Sequence, residues 1–162
     1  MKIRHAEPED AEEIHGVALN SWKDTYSYIL SEDAIEEVID EWYSIEGLRN
    51  QTKDPIFYVA EESGKVVGFV HATLEDGEAT LHRIYLDPDY QSQGIGSRLY
   101  ETAEEDIKEE ADRIELEVLA ENEKGNSFYQ KQGYREQEVG KTDLKGEKVK
   151  QKILVKEIDR SD

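Results

Sequence analysis

Apolar residues recur at helical spacing in the first part of the chain, in two segments. These residues are Ala11, Ile14, Ala18 and Trp22 in the first segment, and Ile35, Val38, Ile39 and Trp42 in the second. Pro8 suits the start of the first helix, and Ser31 can cap the second. A short strand, Met1–Ala6, should precede both helices.

After Pro55 the pattern changes to that of strands. Runs rich in β-branched and aromatic residues, bounded by turn residues such as Asp76-Gly77, predict strands at 56–62, 66–75, 79–86, 113–119, 134–141 and 147–158. Helices should occupy Ile95–Ala111 and residues 125–132, the second of which should stop at Gly133. The predicted order is βααβββαβαββ. It describes an α/β fold with a mixed sheet of about seven strands and helices on both faces.

The charge is strongly negative and is spread along the chain. Thirty-nine Asp and Glu against 20 Lys and Arg give a net charge of −19. This balance argues against nucleic acid as a partner, because phosphates would be repelled. Two interpretations of the acidity remain open: adaptation to high salt, or steering of a cationic substrate. The scattered distribution favours the salt interpretation, since steering needs a focused patch.

Length and composition fit a single domain over residues 1–162 with one core. Without cysteine there can be no disulfide, no thiolate nucleophile and no cysteine-ligated metal. No apolar run is long enough to span a bilayer, and the N-terminal residues lack the apolar stretch of a signal peptide. We therefore expect a cytoplasmic protein without a membrane partner, and the sequence leaves a homodimer open.

The stretch YQSQGIGSRL places Gly94 and Gly96 where a helix should begin. A helix N-terminus offers free N–H groups to a phosphate, and glycine lets that phosphate approach the backbone. A tight turn that needs positive φ would explain the glycines equally well. A dinucleotide fingerprint would need a third glycine at Leu99, and a Walker loop would need Gly-Lys-Ser/Thr, which is absent.

The residues on either side of Gly94 and Gly96 favour the phosphate-binding interpretation. The pattern Gln91-x-x-Gly94-x-Gly96 resembles the acetyl-CoA loop of the GNAT N-acetyltransferase superfamily. The segment LEVLAENEKGNSFYQKQGY, Leu116–Tyr134, resembles the later motif of the same family. The order of elements also agrees with that fold along the whole chain. The motifs are most similar to those of members that acetylate protein N-terminal amines.

This resemblance implies that acetyl-CoA is the co-substrate and lies between two splayed parallel strands. It assigns cofactor contacts to two strand and loop segments and to two later residues: Ile84, Tyr85, Leu86, Gln91, Ser92, Gln93, Gly94, Ile95, Gly96, Ser97, Asn122 and Tyr129. A backbone N–H near Leu86 would polarise the thioester carbonyl. Residues 91–97 would hold the pyrophosphate, and Asn122 would contact the CoA arm.

Catalysis is assigned to Glu117 and Tyr129. The resemblance places Tyr129 near the CoA sulfur, where a phenol can serve the leaving thiolate. Glu117 alternates with Leu116 and Val118, points to the other face, and is our first choice as the base that deprotonates the amine. Glu115 and His82 compete for that role. If Asp76-Gly77 is a two-residue turn, His82 faces His71 across the hairpin, which favours packing over a metal site.

These features predict an acetyl-CoA-dependent N-acetyltransferase that uses no metal and joins amine and thioester in a ternary complex. The acceptor should be a small-molecule amine or a protein N-terminal amine. It should be held by the first two helices, the loop Tyr26–Leu30 and the hairpin Thr142–Glu147. The alternative is a non-catalytic module that binds acyl-CoA and senses it or regulates a partner.

Overall fold

A computed structural model of the protein describes residues 1–158 and contains one seven-stranded sheet. Its strands are β1 (Lys2–His5), β2 (Ile56–Glu62), β3 (Lys65–Glu75), β4 (Glu78–Leu86), β5 (Arg113–Leu119), β6 (Arg135–Leu144) and β7 (Glu147–Glu157). Its helices are α1 (Ala11–Tyr26), α2 (Glu32–Trp42), α3 (Ile45–Gln51), α4 (Ile95–Ile107) and α5 (Glu123–Lys131). The predicted α/β class and mixed sheet are confirmed.

The strand order is β1-β2-β3-β4-β5-β7-β6. Every neighbouring pair is antiparallel except β4 and β5, which lie at the centre and run parallel. That parallel ladder is very short, because only Glu78, Ala79 and Thr80 pair with Arg113, Ile114 and Glu115. Beyond Thr80 the two strands separate while each stays bound to its outer neighbour.

The sheet divides the core into two layers. On one face, Ile14, Trp22, Ile35 and Leu48 of α1–α3 pack with Phe57 and other sheet residues. On the opposite face, Leu99, Tyr100 and Ile107 of α4 pack against residues such as Ile114 and Leu116 of β5. Because side chains alternate along a strand, each central strand serves both layers.

The largest differences between the structure and the predicted elements lie in three places. The helix α3 was not predicted; Ser44 caps it by accepting the Gly47 N–H at 3.1 Å, although a glycine inside the segment lowers its helix propensity. Helix α4 ends at Ile107, before the predicted Ala111, and a turn then leads Ala111 into the core. The strand β6 continues to Leu144 because it stays paired with β7 up to the turn at Lys145-Gly146.

Within the described residues 1–158, no helix is long and apolar enough to cross a bilayer.

Candidate active site

The separation of β4 from β5 opens a cleft of about 1170 Å³. Its walls come from both strands, from α1 and the end of α2, from the loop before α4, from α5 and from the β6–β7 hairpin. The predicted acceptor region therefore contributes to the cleft through Trp22, Tyr26, Thr142 and Leu144. Splayed strands leave backbone groups unpaired, and a ligand can pair with them as an added strand would.

The backbone of β4 presents Ile84 and Leu86 to this cleft. Asp87 N donates to Val67 O of β3 at 2.8 Å, so Asp87 and Val67 form a hydrogen-bonded pair. Hydrogen-bonded and non-hydrogen-bonded pairs alternate along an antiparallel ladder. The N–H groups of Leu86 and Ile84, which pair with Gly68 and Val70, therefore point away from β3. Tyr85 N–H points toward β3, so this predicted cofactor residue reaches the cleft only through its side chain.

The N-terminus of α4 offers a second set of free donors. The first helical bond is donated by Arg98 N to Gly94 O at 3.2 Å, so the N–H groups of Ile95, Gly96 and Ser97 have no acceptor within the helix. No side chain caps this end, since its N-cap residue is Gly94. Unpaired N–H groups and the positive end of the helix dipole together suit a phosphate.

The two glycines of this loop serve different purposes. Gly94 has φ +80, a left-handed conformation, and a Cβ there would meet no atom within 4 Å. Gly96 lies within the helix, where a Cβ would point into open space with only Phe128 Cε1 at 3.9 Å. The first glycine is thus required by the backbone. The second leaves the cleft wall clear beside Phe128, so a turn with positive φ explains Gly94 but does not explain Gly96.

The predicted loop residues do not all face the cleft. Gln91, Ser92 and Gly96 line it, whereas the Ile95 side chain is buried in the core layer around α4. Gln93, Gly94 and Ser97 do not line the cleft. A ligand contact from Ile95 could therefore use only its backbone N–H.

Asn122 lies in the loop between β5 and α5 and contacts the end of α1. Its Oδ1 caps α5 by accepting from Gly125 N at 2.9 Å, and its Nδ2 donates to the Tyr26 hydroxyl of α1 at 3.1 Å. Burial raises the pKa of Tyr26, so that hydroxyl is neutral and can accept this bond. Asn122 also lines the cleft. Its amide thus fastens α5 to α1 and keeps one N–H for a ligand.

Tyr129 projects from α5 into the cleft on the side of α4. Its ring packs edge-on against Phe128 at 5.5 Å and Tyr134 at 5.7 Å between centroids. The hydroxyl has no hydrogen-bond partner among residues 1–158. Burial raises the pKa of Tyr129 well above its usual range, so the phenol stays protonated and can only donate to a negative acceptor.

Glu117 reaches the cleft from the other face of the sheet, the one covered by α1–α3. Leu119, two residues further along β5, points to the same face and packs in that core layer. Gln151 Nε2 of β7 donates to Glu117 Oε2 at 2.7 Å. Glu115 also lines the cleft, but it sits at the last paired position of the β4–β5 ladder, opposite Thr80. Glu117 lies two residues further, where the strands have parted.

A bulge in β4 modifies the predicted histidine pair. His71 pairs with Arg83 and Ala72 with Leu81, so His82 is the extra residue and the direct His71–His82 pairing was wrong. The two rings still stack at 5.1 Å between centroids, as expected for cross-strand packing. Burial lowers the pKa of His71 to about 4 and also lowers that of His82, so both rings are neutral at pH 7.

Sequence reasoning missed several residues that line the cleft near the end of α2. Arg83 and Tyr43 line it, and Trp42 does so with 44% of its surface exposed, although its spacing predicted a buried position. The helix α2 ends at Trp42, which lets Tyr43 turn into the core instead. The one available signal was Arg83 itself, a charged residue between strand-forming residues. Within residues 1–158 no group of acidic or histidine side chains is placed to hold a metal ion.

Comparison with known proteins agrees with this geometry. A model of the acetyltransferase (GNAT) family matches residues 17–134. The chain is 35% identical to a spermidine N(1)-acetyltransferase of Thermoplasma acidophilum over 155 residues, which cover 91% of this chain and 96% of the relative. It is 33% identical over 88 residues to the alanine N-acetyltransferase of ribosomal protein bS18 from Escherichia coli (strain K12), covering 54% and 60% of the two chains. The crystal structure of the PaiA N-acetyltransferase from Thermoplasma acidophilum with coenzyme A superposes with a TM-score of 0.84 at 35% identity, over 97% of this chain and 98% of that one.

Proposed function

The chain belongs to the acetyltransferase (GNAT) family, and on that premise we propose that its cleft joins an amine directly to the acetyl group of acetyl-CoA. The family assignment makes it an acetyl-CoA-dependent N-acetyltransferase, so the non-catalytic alternative is not taken further. The proposal concerns the acceptor, a primary amine, and the roles of individual residues. The observation that carries it is a cleft with unpaired backbone donors on one side and a carboxylate and a phenol on its two faces.

The cofactor half of the cleft fits acetyl-CoA. The open edge of β4 at Ile84 and Leu86 can pair with the amide groups of the pantetheine arm, and the free N–H groups of residues 95–97 can bind the pyrophosphate. Lys124 and Lys131 of α5 also line the cleft and add positive charge in a strongly acidic chain. These elements fix the position of the acetyl group, which acetyl-CoA supplies as a thioester.

The acceptor amine must lose a proton before it can attack, because an aliphatic ammonium has a pKa of about 10. Glu117 receives that proton, directly or through a water molecule. Gln151 holds one carboxylate oxygen at 2.7 Å, and the other has no hydrogen-bond partner among residues 1–158. Glu115 and His82 line the same wall and remain the competing bases. Leu86 N–H stabilises negative charge on the carbonyl oxygen as the carbon–nitrogen bond forms.

Tyr129 stabilises the sulfur as the carbon–sulfur bond breaks. A thiol is more acidic, with a pKa of about 8.5, than a phenol whose pKa lies above about 10. The raised pKa of Tyr129 therefore favours a hydrogen bond to the thiolate over complete transfer of the phenolic proton. Glu117 passes the ammonium proton on to solvent. The second proton, which the nitrogen loses once it is bonded to the carbonyl carbon, restores the free thiol through solvent.

Acetyl transfer to a panel of amines, followed by detection of the free thiol, tests the function. The panel should include spermidine and peptides with a free N-terminal amine, because these are the acceptor classes that the names of the relatives indicate. We expect thiol release that depends on the amine. Binding of acetyl-CoA without release of thiol by any amine would contradict the proposal.

A further inference from the structure

The bulge in β4 aims two consecutive side chains, His82 and Arg83, at the same face of the sheet. Leu81 before them and Ile84 after them belong to the core layer around α4. His82 stacks on His71, and Arg83 lies over Tyr43, so both occupy the face covered by α1–α3. Bulges next to active sites often redirect a side chain in this way. Arg83 thereby enters the acceptor half of the cleft, on the same face as Glu117.

The guanidinium of Arg83 is held firmly by neutral groups. Its Nη1 donates to Gln51 Oε1 at 2.6 Å, its Nη2 donates to the Trp42 carbonyl at 3.1 Å, and its Cζ lies 4.6 Å from the centre of the Tyr43 ring. These bonds occupy two of the five N–H groups that a guanidinium offers. The remaining donors have no partner among residues 1–158. The charge is therefore fixed in place with donors to spare.

Arg83 differs from the other half-buried arginines in having no carboxylate partner. Arg4 pairs with Asp10 at 2.8 Å and with Glu61 at 3.2 Å, and Arg113 pairs with Glu78 at 3.8 Å. In the described chain Arg83 forms no ion pair. Asp54 accepts a hydrogen bond from His71 Nε2 at 2.9 Å and does not come within ion-pair distance of Arg83. A partly buried cation without a counter-ion is unfavourable, and it is most surprising in a chain with almost twice as many acids as bases.

We propose that the acceptor amine carries a carboxylate, which binds Arg83 while the amine faces Glu117. This assignment rests on the proposed function and narrows its substrate class. A guanidinium with free N–H groups suits a carboxylate, which it can bind through two parallel hydrogen bonds. A polyamine has no anionic group and would bring further positive charge toward Arg83. The pair of opposite charges thus selects a zwitterion: a free amino acid, or a peptide N-terminus with an acidic side chain.

Matched substrate pairs test this with the wild-type protein alone. One arm compares phenylalanine with phenethylamine, and lysine with cadaverine, so that only the α-carboxylate is lost. The second arm compares amidated peptides that begin with Glu or with Gln. We expect kcat/KM to be higher for the carboxylate-bearing member of the pairs in one arm, which also identifies the source of the carboxylate. A preference for spermidine and for the carboxylate-free members in both arms would overturn the assignment.

The variant Arg83→Gln supplies the residue-specific test. It should reduce kcat/KM for the preferred carboxylate substrates roughly 10- to 100-fold, mainly through KM, because a hydrogen bond to a charged group is lost. The matched carboxylate-free amines should change little, and the affinity for acetyl-CoA should not change. Arg135→Gln is the control, because it makes the same change in an exposed arginine, which lies on β6 and pairs with Glu157 of β7.

The outcomes separate this assignment from the proposed function. Equal losses for both members of a pair would show that Arg83 only supports the fold, and would overturn its role as an anchor. Transfer to spermidine that is indifferent to Arg83→Gln, without transfer to carboxylate substrates, would keep the proposed function and overturn the assignment. If no amine in the panel releases thiol although acetyl-CoA binds, both are contradicted.

Discussion

Glu117 of β5 accepts a hydrogen bond from Gln151 of β7, with 2.7 Å between Oε2 and Nε2. Gln151 pairs with Leu119 in the ladder, so it lies diagonally from Glu117 on the same face of the sheet. The bond holds an exposed carboxylate at the edge of the cleft, two residues past the point where β4 and β5 separate. Glu115, at the closed end, has no such partner in the described chain. This geometry makes the two acids experimentally separable.

Replacing Glu117 with Gln should lower turnover by roughly 10²-fold at neutral pH, the usual scale for a general base. The loss should shrink as pH rises, because more of the amine then arrives deprotonated. A pH–rate profile of the variant against wild type measures this. Glu115→Gln is the matched control and should retain activity. If Glu117→Gln follows wild type at every pH, the base is Glu115 or His82.

Tyr129→Phe keeps the ring contacts with Phe128 and Tyr134 but removes the hydroxyl. We expect unchanged acetyl-CoA binding and stability, with turnover lower by on the order of 10²-fold. Tyr134→Phe makes the same change beside it, where the hydroxyl bonds Tyr100 at 3.0 Å outside the cleft. Tyr134→Phe should lower the stability of the fold and leave turnover unchanged. Full activity of Tyr129→Phe would make this tyrosine a packing residue.

The two glycines of the loop before α4 should respond differently to substitution. Gly96→Val keeps an allowed helical backbone and fills space beside Phe128, so it should weaken acetyl-CoA binding strongly in a folded protein. Gly94→Ala should instead destabilise the fold by about 1 kcal/mol or more, because its φ of +80 is strained for any side chain. Calorimetry and thermal melting distinguish these effects. Unchanged affinity in Gly96→Val would place the pyrophosphate elsewhere.

His71 should make the stability of the fold depend on pH. Its pKa is about 4 in the folded protein, against an ordinary value of 6.5 for a histidine in the unfolded chain. The unfolded chain therefore binds the extra proton as pH falls below 6.5, and stability is lost down to about pH 4. Two and a half pKa units correspond to roughly 3 kcal/mol. Denaturation of His71→Gln between pH 6.5 and 4.5 should show a shallower slope than wild type. A slope equal to that of wild type would contradict this prediction.

The acidic surface should make the protein more stable in salt. At −19 the folded chain repels itself, and the Debye length falls from about 10 Å at 0.1 M to about 3 Å at 1 M salt. The melting temperature should therefore rise with potassium chloride over this range. A melting temperature that stays constant or falls with salt would instead favour substrate steering as the role of the acidic residues. In that case kcat/KM for a cationic amine should fall steeply with salt.

The sequence alone determined the fold class, because periodicity and turn residues are local signals. Alternation located the six strands after Pro55, Asp76-Gly77 marked the β3–β4 hairpin, and the Gln91–Gly96 pattern marked the start of α4. Sequence analysis also named Asn122 and Tyr129 through the family resemblance and Glu117 through strand alternation. These residues line one cleft, although β5, α5 and the loop between them supply them separately. The sequence did not predict α3, where Gly47 lowers helix propensity and only Ser44 and packing of Leu48 compensate.

Only the tertiary structure decided what surrounds those residues. The cleft opens because the β4–β5 ladder ends after three residue pairs. The length of that ladder depends on how each strand pairs with its outer neighbour. The bulge at His82 depends on the register of β3 and β4, which no local pattern specifies, and it brings Arg83 into the cleft. Gln51 and the Trp42 carbonyl meet Arg83 across 32 and 41 residues of chain. Contacts between distant segments decide burial and charge pairing, and these properties distinguish one acceptor from another.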